Sequence, residues 1–158
     1  MILMKTNRIA VALAACACVT GALAAPAHAH ENAAQTAKKA GPNGGRVITK
    51  VTPNVEFLVQ PDRRVKLTFL DAEGKPVAAG QAMATLTGGD RLNPSKLTFV
   101  KDGDALVSQQ SLPAGEIVPV VLQLRMTPEG EVVMQKFNVN FAICPECKHT
   151  EYACTCGH

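Results

Sequence analysis

The residues in this chain best suited to chemistry are gathered at its carboxyl end. Cys144, Cys147, Cys154 and Cys156, with His149 and His158, fall within the fifteen residues from Cys144 to His158. Cys144-Pro145-Glu146-Cys147 has the spacing of a turn that presents two sulfurs on one side, with the intervening amides wrapped back toward the thiolates. Cys154-Thr155-Cys156 is shorter by one residue, but in an extended segment alternate side chains share a face. The six residues between Cys147 and Cys154 are enough for the chain to reverse and set the second pair opposite the first. Four sulfurs placed about 2.3 Å from a common centre would complete a tetrahedral site. His149 and His158 stand by as spare donors. The geometry suits one zinc ion, and the soft sulfur set suits copper(I).

Two other uses of the same cysteines stay open. A tail this short builds no core of its own and needs a staple to be ordered. Two disulfides would supply it in an oxidising compartment. Of the three connectivities, the crossed ones joining Cys144 to Cys154 or Cys156 are more plausible than a strained Cys154–Cys156 loop. Alternatively, Cys144 and Cys147 form a redox couple. Such couples normally sit at a helix N-terminus, where the dipole lowers the thiol pKa, whereas this one follows a strand.

The preceding segment offers little chemistry. Gly41 to Phe141 contains neither His nor Cys, and its acids fall mainly in turns, where Asp and Glu are expected for structural reasons. General acid–base and nucleophilic catalysis usually require a positioned His, Cys or carboxylate pair, so a non-enzymatic role is expected. Asp102-Gly103-Asp104 reads as a hairpin turn, because no later acid completes a calcium loop. Met83, Met126 and Met134 are too scattered for a copper-binding cluster and read as packing residues.

The amino-terminal segment points to export. Lys5 and Arg8 precede an apolar run from Ile9 to Ala25, and Ala27-His28-Ala29 supplies a small-x-small cleavage pattern. This is the layout of a secretory signal peptide over residues 1–29. The run is short for a membrane span and is interrupted by Gly21 and Pro26. Leu13-Ala14-Ala15-Cys16 has the form of a lipoprotein box, so membrane attachment is expected only if Cys16 is lipidated. Cleavage after Ala29 would leave His30 with a free amine beside an imidazole, a chelate suited to copper(II). Either route of processing places the folded part outside the cytoplasm. Without Lys5 and Arg8, 14 basic residues face 13 acidic ones. That balance gives no electrostatic footprint for nucleic acid.

The elements that must position the cysteines are strands. Residues 30–40 are polar and Ala-rich and read as a linker. From Gly41 onward short β-branched runs alternate with turns such as Gln60-Pro61-Asp62, Asp71-Ala72-Glu73-Gly74 and Pro128-Glu129-Gly130. Val65, Leu67 and Phe69 alternate with polar neighbours, as do Leu97 and Phe99. Val133, Phe137, Val139 and Phe141 share one face. Ile117 to Leu124 is apolar on both faces, like a central strand, yet Pro119 lacks a ladder donor and argues for an edge or a bulge. The pattern predicts an all-β fold, an antiparallel Ig-like β-sandwich of about seven or eight strands over residues 41–141. A Cys-rich tail then occupies residues 142–158.

Gly41-Pro42-Asn43-Gly44-Gly45-Arg46-Val47, Asp71-Ala72-Glu73-Gly74-Lys75-Pro76-Val77 and Leu112-Pro113-Ala114-Gly115 resemble turns of small periplasmic β-sandwich proteins of Gram-negative bacteria associated with heavy-metal efflux. The resemblance covers about 100 residues. It implies a periplasmic location and an efflux-system component as a partner, and it brings no catalytic residues. Cys144-Pro145-Glu146-Cys147 separately resembles the first knuckle of a zinc ribbon. Cys154-Thr155-Cys156 departs from the second knuckle by one missing residue.

Overall fold

The computed structural model describes residues 39–156, which belong to one compact unit. The expected signal peptide over residues 1–29, Cys16, His30, most of the expected linker and His158 lie outside the described residues. Among the described residues, no helix is long and apolar enough to cross a membrane.

Among the described residues the chain forms nine strands: β1 (Arg46–Ile48), β2 (Asn54–Val59), β3 (Val65–Leu70), β4 (Pro76–Val77), β5 (Met83–Gly88), β6 (Ser95–Asp102), β7 (Ala105–Ser108), β8 (Ile117–Arg125) and β9 (Val133–Asn140). Every pairing between them is antiparallel. Turn chemistry fixes where the chain reverses. The Asp71 carboxylate accepts the Lys75 amide at 2.7 Å, and Asp62 does the same for Arg64 at 3.0 Å. Gly103 and Asp104 form the two-residue link between Asp102 and Ala105, which are paired across β6 and β7. That position is the hairpin turn expected of Asp102-Gly103-Asp104.

The all-β, antiparallel character follows the sequence pattern. The hydrogen bonding, however, does not divide into two separate sheets. The strands form one curled sheet, a half-barrel, in the order β1-β2-β3-β7-β6-β5-β8-β9, with β4 paired to β3. The continuity depends on β6, which changes partner midway. Ser95 to Thr98 pair with β5, whereas Phe99 to Asp102 pair with β7. The Thr98 carbonyl still accepts the Gln109 amide at 2.9 Å, and its amide donates to the Gln110 side chain at 2.8 Å, so the switch leaves its backbone groups satisfied.

Strand β8 is interior, between β5 and β9, so Pro119 marks no edge. Its carbonyl accepts the Gly89 amide at 3.0 Å, one residue past the Gly88–Val120 pair that closes the β5 ladder. The missing donor falls where that ladder has already ended, which reconciles proline with a central strand.

The concave face holds the core. Val55, Phe57, Val65, Leu67, Phe69, Leu86, Leu97, Leu122, Leu124 and Val139 are fully buried. Each such side chain contributes about 1.5–3 kcal/mol relative to exposure. Curling brings the two ends of the sheet face to face. Phe57 on β2 meets Phe137 on β9 edge-on, with ring centroids 5.1 Å apart at 87°. The Arg46 guanidinium on β1 lies 4.7 Å from the centroid of the same Phe137 ring. Between β1 and β9 the half-barrel has an open side, and the carboxyl-terminal segment lies there.

One acid departs from the turn-and-surface pattern. Glu56 alternates with inward-facing Val55 and Phe57, yet its side chain is fully buried. The loop Gly41 to Gly45 folds over it. The carboxylate accepts the Asn43 amide at 2.9 Å, the Asn43 side-chain amide at 2.7 Å and the Gly45 amide at 2.9 Å. A Cβ on Gly41 would collide with the Glu56 carboxyl group, and one on Gly45 with the Phe57 carbonyl. These two glycines let the backbone approach a buried anion closely enough to satisfy it.

Candidate metal centre

After β9, an isolated bridge between Ile143 and Thr150 clamps a tight reversal. The Cys144 amide donates to the His149 carbonyl at 2.8 Å, and the Lys148 amide to the Cys144 carbonyl at 3.1 Å. Lys148 takes a left-handed conformation, φ 62°, and its ammonium donates to the Pro145 carbonyl at 2.6 Å. The knuckle therefore aims the Cys144 and Cys147 sulfurs to one side. A 3-10 turn, Glu151–Ala153, follows. Its Ala153 and Cys154 amides donate to Thr150 and Glu151, and the turn delivers Cys154 opposite the knuckle.

The four sulfurs converge. Cys144 to Cys154 is 3.6 Å, Cys147 to Cys154 is 3.7 Å, Cys144 to Cys156 is 3.9 Å, and all four atoms lie within 4.8 Å of one another. A regular tetrahedron with sulfur about 2.3 Å from its centre has edges of about 3.8 Å, so the spacing fits a four-thiolate site. A disulfide requires about 2.05 Å. The missing residue in Cys154-Thr155-Cys156 does not prevent convergence, because the 3-10 turn has already brought Cys154 into place.

Burial is graded across the cluster. Cys144 and Cys154 are buried, while Cys147 and Cys156 are half-buried. Backbone amides reach the sulfurs, as in the Cys156 amide to the Cys154 sulfur at 3.3 Å. Hydrogen bonds from the Thr155 amide, and then from His149, lower the Cys147 thiol to about 5, which makes it the readiest thiolate. Burial raises Cys154. A hydrogen bond to the Glu146 carboxylate, reinforced by burial, raises Cys156.

The structure gathers Cys144, Cys147, Cys154 and Cys156 and leaves His149 out of the group. The His149 backbone shapes the knuckle, and its imidazole turns toward the glycine loop. Its Nδ1 lies 3.8 Å from where a Cβ on Gly44 would stand. The loop anchored by Glu56 thus adjoins the cysteine knuckle.

Sequence reasoning missed what holds the cluster against the sheet. Tyr152, the single tyrosine of the chain, is 5% exposed and belongs to the core. Its ring meets Phe57 at 6.1 Å and Phe141 at 6.3 Å, both edge-on. Its hydroxyl accepts the Val59 amide of β2 at 3.1 Å. Arg46 adds a bond to the Tyr152 carbonyl at 3.5 Å, and burial lowers its pKa. A small cavity of about 40 Å³ beside the cluster is lined by Lys39, Arg46, Val47, Tyr152, Ala153 and Cys154. A lone tyrosine within a polar, Cys-rich segment carried no periodic signal that could have marked it as core.

No family model, characterised protein or solved structure matches this chain.

Proposed function

We propose that this is an exported, non-catalytic metal-binding protein that holds one zinc ion through Cys144, Cys147, Cys154 and Cys156. The convergence of four sulfurs at tetrahedral spacing carries this reading. Four-sulfur tetrahedral sites with no open position suit zinc held for structure, and copper(I) is the competitor for the same donors. The curled sheet serves as the scaffold, in the role an Ig-like sandwich plays in other exported domains. Location in the periplasm rests on the amino-terminal export pattern. An accessory role in heavy-metal homeostasis, beside an efflux-system component, rests on the resemblance of three turn motifs to those of periplasmic proteins of that setting.

Cobalt(II) titration of the reduced protein tests the site. The expected result is a tetrahedral tetrathiolate spectrum that saturates at one ion per chain and is displaced by zinc. Absence of that spectrum with all four thiols reduced would overturn the assignment. Stronger retention of copper(I) than zinc in direct competition would move the assignment to copper.

A further inference from the structure

We propose that occupation of the four-cysteine centre latches the open side of the half-barrel, with Tyr152 as the element that engages; this rests on the metal-binding reading above. Tyr152 lies between two of the four sulfur residues, Cys147 and Cys154. An ion bound to both closes a short loop around it and removes the conformational freedom that would otherwise let the ring swing out. The ring is seated where the ends of the sheet meet, against Phe57 from β2 and Phe141 beyond β9. Its hydroxyl satisfies the Val59 amide, and its carbonyl receives Arg46 of β1, whose guanidinium also covers Phe137 of β9.

The tail has further anchors. The Glu151 amide donates to the Ala142 carbonyl at 2.8 Å, and the remaining backbone bonds of this segment close the knuckle and 3-10 turn upon themselves. The Tyr152 ring, the buried Cys144, Ala153 and Cys154 side chains and these hydrogen bonds are set against the entropy lost in ordering the whole segment from Cys144 to Cys156. The ion offsets the difference. When it leaves, Tyr152 withdraws, the Val59 amide loses its acceptor, and the contact between the two ends of the sheet loosens while β3 and the strands from β5 to β8 persist. Metal occupancy is thereby converted into the state of a surface built from β1, β2 and β9.

The chain supplies its own reporter, because it has one tyrosine and no tryptophan. Zinc is titrated into the reduced, metal-free full-length protein while tyrosine fluorescence anisotropy and amide exchange at Val59 are followed. Binding stoichiometry is measured separately by a competing chelator. Anisotropy is expected to rise to a plateau at one zinc per chain, with Val59 exchange slowing by at least roughly tenfold and the β3 amides unchanged. In Tyr152→Phe, zinc should still bind at one per chain while the Val59 amide stays unprotected. Zinc binding with no change at Tyr152 or Val59 overturns the latch and leaves the metal site standing. Loss of protection across β3 on zinc removal also overturns it, since the ion would then govern the entire fold. Failure of the four reduced thiols to bind zinc removes both the latch and the site.

Discussion

Replacing Tyr152 with alanine tests whether the cysteine segment is an appendage or part of the core. The ring is 5% exposed and packs on Phe57 and Phe141. Truncating a buried aromatic to alanine costs about 3–5 kcal/mol through lost transfer energy and the cavity left behind. Losing the acceptor of the Val59 amide, bonded at 3.1 Å, adds about 1 kcal/mol. The sum, about 4–6 kcal/mol, is comparable with the whole stability of a marginal domain. Urea unfolding of the zinc-loaded protein, followed by far-ultraviolet circular dichroism, reads the effect without depending on the removed chromophore. With a slope near 1.5 kcal/mol per molar, the midpoint should fall by about 3 M. Tyr152→Phe keeps the ring and should lose only about 1 kcal/mol. A Tyr152→Ala loss below about 1 kcal/mol would refute the reasoning, because it would mean that the ring contributes nothing to the core.

The other predictions concern the sulfurs and the buried acid. Cys147→Ser should weaken zinc binding beyond the roughly 10–100-fold typical of outer-shell changes, because it removes a ligand; chelator competition measures it. In the metal-free protein, Cys147 lies well below the usual thiol pKa, at about 5. It is therefore already thiolate at neutral pH, and its alkylation rate should be nearly flat above pH 6. Cys154 and Cys156 are raised, so their rates should still be climbing with pH through 8, as peptide mapping after brief iodoacetamide exposure would show. Glu56→Gln replaces an acceptor of three N–H groups by a side chain that must aim its own NH2 at one of them. The expected loss is about 2–4 kcal/mol, accompanied by faster exchange of the Asn43 and Gly45 amides.

Much of the fold was legible because it is written in local alternation. Val65, Leu67 and Phe69 alternate with polar residues and are all fully buried; on β9, Val139 is fully buried, and Val133 and Phe137 on the same face are partly buried against the core. The convergence of the cysteines was legible from spacing alone. Closure was not, because it is set by pairings between distant segments. The partner change at Thr98 and Phe99 joins the strands into one sheet, and nothing in Leu97-Thr98-Phe99 announces it. Pro119 misled because a missing donor matters only where a ladder would use it. Glu56 sits on the outward register of its strand, where alternation alone would place it in solvent; the loop that buries it begins fifteen residues earlier, at Gly41. Periodicity cannot show that a face is roofed by its own chain.

Intact mass and zinc content, measured on protein purified from the periplasm without added metal or reductant, test the central proposal most directly. One zinc per chain, four thiols that become reactive only after chelation, and a mature chain starting beyond the export segment are the expected result. A chain lacking metal and lighter by four hydrogens would instead carry two disulfides, and would contradict it.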